Sequence, residues 1–105
     1  MGKEPDGRIQ EFAKRIKEKL PIDRIILFGS RARGDNFRNS DYDIIVISDY
    51  FAGMRFAERI ALVLDFWDGY PLELEPICYT VKEFENKCGQ LGMISQAMID
   101  GIEIG

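Results

Sequence analysis

Histidine is absent from this chain of 105 residues, and cysteine occurs only twice. Structural zinc sites in proteins are built from four cysteine or histidine ligands, often in closely spaced pairs. Cys78 and Cys88 are too far apart in the sequence to form a Cys-x-x-Cys pair. We therefore expect two reduced thiols, and neither a zinc site nor a redox centre of that type.

Long apolar segments are also missing. No run approaches the ~20 apolar residues of a membrane-spanning helix, and residues 1–6 contain no apolar signal-peptide core. From these absences we expect a cytoplasmic protein without a membrane partner.

Basic residues are outnumbered by acidic ones, 14 against 18, which gives a formal charge of −4. This balance argues against sequence-independent binding to nucleic acid through a broad basic face and leaves open only a local basic spot, so a nucleic-acid partner is not favoured. The chain also lacks the Gly-x-x-x-x-Gly-Lys-Ser/Thr pattern, which excludes a P-loop as a source of phosphate binding. With 46% hydrophobic residues, this length fits a single domain over residues 1–105.

Hydrophobic periodicity predicts several amphipathic helices. Apolar residues at helical spacing indicate helices over residues 6–19, 54–67 and 90–100. A capping-box pattern at residues 80–83 begins a further helix that ends at residue 89. The large side chains that these helices are expected to bury in the protein core are Phe56, Trp67 and Phe84.

Short apolar runs between these helices predict strands over residues 24–28, 41–48 and 72–79. Residues 102–104 are expected to form a short strand or a tail. The resulting order predicts an α+β fold, in which a small mixed β-sheet has helices packed mainly on one face and the other face partly open.

The most informative stretch begins where the first predicted strand ends, at Gly29-Ser30, and leads into Asp41-x-Asp43 at the start of the second. Residues two apart in a strand point to the same face, so Asp41 and Asp43 project together. Two carboxylates held that close repel each other unless a cation joins them. Mg²⁺ usually combines carboxylates with substrate phosphates, which predicts a metal site completed by a nucleoside triphosphate.

The same loop offers groups that bind phosphate. Gly29 allows a sharp turn and a close approach to a ligand, and Ser30 offers a hydroxyl and an amide. Arg31, Arg33 and Arg38 add positive charge that could pair with phosphate oxygens, although arginines in loops are often only solvated. The candidate nucleotide-binding residues are therefore Gly29, Ser30, Arg31 and Arg33.

Gly-Ser, ten intervening residues and Asp-x-Asp together resemble the signature of the DNA polymerase β-like nucleotidyltransferase superfamily. Within it, Gly-Ser-Arg-Ala-Arg-Gly and the short chain look like the minimal nucleotidyltransferases of prokaryotes, and the resemblance covers residues 24–88. It implies the nucleotidyltransferase fold and two Mg²⁺ ions, one activating the attacking hydroxyl and one accompanying the triphosphate. The resemblance also implies ATP, or another nucleoside triphosphate, as substrate.

The resemblance further implies a third carboxylate on a neighbouring strand. Glu73 and Glu75 alternate with leucines, so both are expected on the side opposite the core. Counting back from Tyr79-Thr80 favours Glu75 as the third metal ligand and base, where the family commonly has aspartate. The alternative is that both glutamates lie on the solvent face of an edge strand, in agreement with Pro76.

The first hypothesis is therefore a Mg²⁺-dependent nucleotidyltransferase with Asp41, Asp43 and Glu75 as catalytic and metal-binding residues. It would move a nucleoside monophosphate, AMP from ATP, to an acceptor hydroxyl with loss of pyrophosphate. The resemblance also implies a small helical HEPN-type toxin partner that supplies this hydroxyl, which would make the chain an antitoxin. The alternative is a catalytically weak nucleotide-binding module that neutralises a partner by contact.

The C-terminal segment offers a candidate docking surface. Its apolar residues exceed what one helix face would bury, which predicts a homo-oligomer or the capture of a small helical partner. These residues are Leu91, Met93, Ile94, Met98, Ile102 and Ile104.

Overall fold

The computed structural model describes residues 7–33, 41–68, 72–88 and 101–105. Its four helices are α1 (Gly7–Lys19), α2 (Ser30–Arg33), α3 (Phe56–Leu64) and α4 (Val81–Cys88). Its four strands are β1 (Arg24–Phe28), β2 (Tyr42–Ile47), β3 (Leu74–Tyr79) and β4 (Ile102–Ile104), and a short 3₁₀ turn covers Asp49–Phe51. The helix predicted over residues 90–100, with most of the proposed C-terminal docking surface, lies outside the described residues.

The four strands form one mixed sheet in the order β3-β2-β1-β4. Strand β1 is antiparallel to both β2 and β4, whereas β2 and β3 are parallel and are connected through α3. The predicted α+β fold with a small mixed sheet is confirmed, and residues 102–104 form a strand rather than a tail. Helix α2 was not predicted, because four residues are too few to show helical periodicity.

The larger core lies on the sheet face covered by α1 and α3. On α1 the buried residues recur every three or four positions, at Ile9, Phe12 and Ile16, so one stripe of the helix faces the sheet. Ala32 of α2 is buried in the same cluster. On the opposite face, α4 contributes Phe84 to a smaller cluster. Helices therefore pack mainly on one face, as predicted.

Helix α3 corrects one prediction about the core. Trp67 packs against the larger cluster and Phe84 is buried, as expected, but Phe56 is 55% exposed. The inward positions of α3 are held by Arg59 and Val63, which are both buried. The apolar stripe read from the sequence is wider than the face that this nine-residue helix turns to the sheet.

Arg59 joins the three elements around the end of β3. Its side chain is 4% exposed, and the guanidinium donates hydrogen bonds to Met54 O, to Cys78 O and to both carboxylate oxygens of Glu83. The same carboxylate accepts from Thr80 N at 2.9 Å, and Thr80 Oγ1 accepts from Glu83 N at 3.2 Å. This reciprocal pair is the capping box that the sequence predicted at the start of α4.

Cys78 is buried and Cys88 is exposed, and both are free thiols, as expected. In the part of the chain that the structure describes, every helix is too short or too polar to cross a bilayer.

Candidate active site

The first half of the site is the turn that follows β1. Gly29 has a φ of +76°, a left-handed conformation that residues other than glycine rarely adopt. A Cβ atom on this residue would lie 2.5 Å from Asp43 Oδ2. Glycine is therefore needed both for the turn and for the close approach of the Asp43 carboxylate. Helix α2 begins at the next residue, and the side chains of Ser30 and Arg33 lie outside the described part of the structure.

Strand alternation places the carboxylates on the opposite side of the sheet from the larger core. In β2, Tyr42 and Ile44 belong to the larger cluster and Ile45 to the smaller one. Asp43 therefore shares the face of the smaller cluster, and Asp41, one residue before the strand, has the same parity. The predicted common orientation of the two aspartates agrees with this arrangement.

Strand β3 brings two glutamates to the same place. Glu75 lies directly beside Asp43 in the parallel pairing of β2 with β3. Tyr42 N donates a hydrogen bond of 2.9 Å to Glu73 O, which extends this pairing by one residue. Asp41, Glu73 and Glu75 each offer a carboxylate oxygen, and these oxygens all lie within 4.8 Å of one another.

The neighbouring carboxylates disfavour the ionised form of Glu75. A side-chain hydrogen bond with Asp41, the loss of solvation and the negative charge of Asp43 raise the pKa of Glu75 to about 7. Asp43 also takes part in a side-chain hydrogen bond with Glu75, so it belongs to the same electrostatic group. Without a cation, protonation of Glu75 partly relieves the repulsion among these carboxylates.

The chemistry of this donor set fits a divalent metal ion. Carboxylate oxygens are ligands of hard divalent cations, and such a cation would replace the proton on Glu75. Asp41, Asp43 and Glu75, which the sequence singled out, come together at this end of the sheet. Glu73 is a fourth member, which the sequence left as the less favoured alternative. The signal for it was its position two residues before Glu75 in an alternating strand.

Arg31 has a contact that the sequence did not predict. Its guanidinium carbon lies over the ring of Tyr42, 3.9 Å from the centroid, and that ring belongs to the larger core. Whether Arg31 also contacts a nucleotide stays a prediction. Arg38 lies outside the described residues.

Comparison with known proteins agrees with this geometry. The family model described as a nucleotidyltransferase domain matches residues 9–103. Three relatives from Methanocaldococcus jannaschii, each named "putative protein adenylyltransferase", are similar in sequence.

The first of these relatives is 36% identical over 74 residues, covering 68% of this chain and 75% of the relative. The second is 49% identical over 43 residues, covering 39% of this chain and 43% of the relative. The third is 33% identical over 84 residues, covering 75% of this chain and 57% of the relative. The matches thus span less than two thirds of the length of two of the three.

A crystal structure from Sulfolobus solfataricus, described as a "putative nucleotidyltransferase", has the same fold. It superposes with a TM-score of 0.65 at 23% identity, covering 90% of this chain and 74% of the other.

Proposed function

This chain belongs to the nucleotidyltransferase domain family, and we propose that it transfers AMP from Mg²⁺-bound ATP to a hydroxyl group of a protein. The observation that carries this proposal is the group of four carboxylates on β2 and β3, which lies beside the Gly29 turn. Such a group is costly for a fold unless it binds a cation. The names of the three relatives support a protein as the acceptor.

Asp41, Asp43 and Glu75 would hold the metal, with Glu73 able to contribute a further oxygen. Two Mg²⁺ ions are expected, which would neutralise the triphosphate and lower the pKa of the attacking hydroxyl. The Gly29-Ser30 turn would hold phosphate through its backbone amides, and Arg33 would add positive charge.

Glu75 would accept the proton of the acceptor hydroxyl. It lies directly beside Asp43 in the pairing of β2 with β3, so its carboxylate faces the same site as the other proposed metal ligands. The acceptor oxygen attacks the α-phosphorus and forms a new P–O bond, while the bond between the α-phosphorus and the bridging oxygen breaks. The hydroxyl proton passes to the Glu75 carboxylate, and pyrophosphate leaves.

Radiolabelled ATP tests this reaction directly. Label from the α-phosphate should become covalently attached to a protein co-expressed with this chain, whereas label from the γ-phosphate should not. The double variant Asp41→Asn, Asp43→Asn and the addition of EDTA should each abolish the transfer. Transfer of the γ-phosphate would contradict the proposal, because it would indicate a kinase.

The same experiment identifies the partner. The resemblance to minimal nucleotidyltransferases motivates a small helical HEPN-type toxin as the acceptor, and mass spectrometry of the labelled protein would locate the modified hydroxyl. A chain that binds both Mg²⁺-ATP and its partner, yet transfers no label, would instead support neutralisation by contact.

A further inference from the structure

Arg31, Tyr42 and Trp67 form a packed group behind the site, on the face of β2 opposite the carboxylates. The Tyr42 side chain is completely buried, and the Arg31 guanidinium carbon lies over its ring, 3.9 Å from the centroid. The indole of Trp67 meets the same ring edge-on, with centroids 5.0 Å apart and an angle of 64° between the planes. The Tyr42 ring therefore has an arginine and a tryptophan packed against it.

This group is attached to both carboxylate-bearing strands. Tyr42 stands between Asp41 and Asp43 in β2, and its backbone N–H bonds to Glu73 O. Trp67 Nε1 donates a hydrogen bond of 2.9 Å to Leu72 O, directly before Glu73. A displacement of the Tyr42 ring would therefore be transmitted to the backbone on both sides of the acidic cluster.

The group is also attached to the turn. Arg31 is the second residue of α2, which follows Gly29 without an intervening residue. Ala32, its neighbour, is 5% exposed and packs into the same core. The stack of Arg31 on Tyr42 thus joins the Gly29-Ser30 turn, which would bind phosphate, to the segment with Asp41 and Asp43, which would bind metal.

We propose that Arg31 is a positioning residue, whose guanidinium on the ring of Tyr42 fixes the Gly29-Ser30 turn relative to Asp41 and Asp43. This inference rests on the proposed function and deepens it. Arginine suits the role because its planar guanidinium packs on an aromatic face better than the compact ammonium of lysine. A phosphate ligand, by contrast, also acts through its positive charge, so the lysine variant, which keeps that charge, should then bind better than the methionine variant, which lacks it.

Nuclear magnetic resonance tests the structural half of the proposal without any ligand. Trp67 is the only tryptophan, so its indole N–H gives a single, unambiguous cross-peak. Arg31→Lys and Arg31→Met should both shift this peak and the amide peaks of Gly29 and Asp43. The matched control is Arg24→Lys, because Arg24 also lies over a ring, 5.8 Å from the centroid of Phe84, but outside the group. It should leave all three peaks in place.

Calorimetry of Mg²⁺-ATP binding tests the functional half. Arg31→Lys and Arg31→Met should weaken binding to a similar extent, by about tenfold, because misplaced groups lose much of their effect. In a Tyr42→Leu background, neither change should weaken it further, since residues acting through one contact are not additive. Should Tyr42→Leu fail to fold, the comparison of lysine with methionine at position 31 still decides between the two roles.

The proposal would be overturned if the lysine variant bound Mg²⁺-ATP like wild type, the methionine variant did not, and the indole peak stayed in place. Arg31 would then be a phosphate ligand. If wild type binds no Mg²⁺-ATP, the proposed function fails. The positioning role then stands or falls on the three peaks of the ligand-free variants.

Discussion

Glu75, near the start of β3, and Glu83, in the helix that follows this strand, have opposite electrostatic surroundings. Glu83, in the first turn of α4, accepts hydrogen bonds of 2.7 and 3.3 Å from the buried guanidinium of Arg59, which with Thr80 lowers its pKa. Glu75, near the start of the strand, lies beside Asp41 and Asp43, and its pKa rises to about 7. One carboxylate has its cation within the fold, whereas the other is surrounded by carboxylates.

The difference separates a charge with a structural role from one for which we propose a catalytic role. The Arg59 guanidinium of α3 has partners in β3, in α4 and in the loop before α3, so these contacts hold the three elements together. The acidic cluster instead concentrates repulsion at a point fixed by the pairing of β2 with β3. Such an arrangement destabilises the protein by itself. A bound cation and a substrate phosphate would compensate for the repulsion and explain why the carboxylates lie together. Glu75→Gln and Glu83→Gln should therefore have opposite effects on the rate of transfer and on the free energy of unfolding.

At the acidic end, Glu75→Gln should lower the rate of AMP transfer by at least ~10²-fold, as expected for the loss of a positioned acid or base. The free energy of unfolding should stay the same or rise slightly, because a source of repulsion is removed. Transfer of α-labelled ATP and urea titration measure the two quantities. Glu73→Gln should cause a smaller loss, and a larger loss at position 73 would assign the base to Glu73.

At the other end, Glu83→Gln should lower the free energy of unfolding by about 2 kcal/mol, because the buried guanidinium of Arg59 loses its charged partner. This value lies below that of a fully buried pair, since the Glu83 side chain is 38% exposed. Transfer per folded molecule should be unchanged. Urea unfolding checks the prediction, and a loss under about 0.5 kcal/mol would show that the pair behaves as a solvated surface pair.

Ligands should stabilise the protein through the acidic cluster and not through the pair of Arg59 with Glu83. Mg²⁺ and ATP together should raise the melting temperature more than either alone, by about 5 °C at tenfold their dissociation constant, because ligand binding stabilises the native state. Asp41→Asn with Asp43→Asn should abolish the joint effect, whereas Glu83→Gln should keep it. An equal shift by ATP in EDTA would contradict a metal-bridged complex.

Local patterns were the part of this arrangement that the sequence could predict. The capping box of α4 needs only Thr80 and Glu83, and the common face of Asp41 and Asp43 follows from strand alternation. The parallel pairing that sets Glu75 beside Asp43 requires the topology of the sheet, which the motif spacing does not contain. The stack of Arg31 on Tyr42 likewise joins segments through tertiary packing.

The wrong assignment of Phe56 to the core has the same origin. Arg59 reads as a polar position on α3, yet the carbonyl oxygens of Met54 and Cys78 and the Glu83 carboxylate satisfy its guanidinium inside the protein. These partners, two of which are distant in the sequence, compensate for the loss of solvation of the buried guanidinium. Phe56 stays 55% exposed on the same helix. Periodicity alone cannot identify such an exchange.

The smallest expected effect is the pH dependence of stability at the acidic end. Because folding raises the pKa of Glu75 from its ordinary value of 4.5 to about 7, the native state binds more protons than the unfolded chain between these values. The contribution of Glu75 to the free energy of unfolding therefore falls as the pH rises from about 4.5 to about 7. Solvent screening of this exposed side chain keeps the change below about 1 kcal/mol.

Urea unfolding of wild type and Glu75→Gln at several pH values isolates this contribution as a difference. Glu83 does not interfere, because its lowered pKa places its own loss of stability below pH 4.5 and in both proteins. Millimolar Mg²⁺ should flatten the slope of wild type, since a bound cation displaces the proton. A difference that rises with pH would mean that Glu75 has a cationic partner in the fold, and the contrast with Glu83 would then disappear.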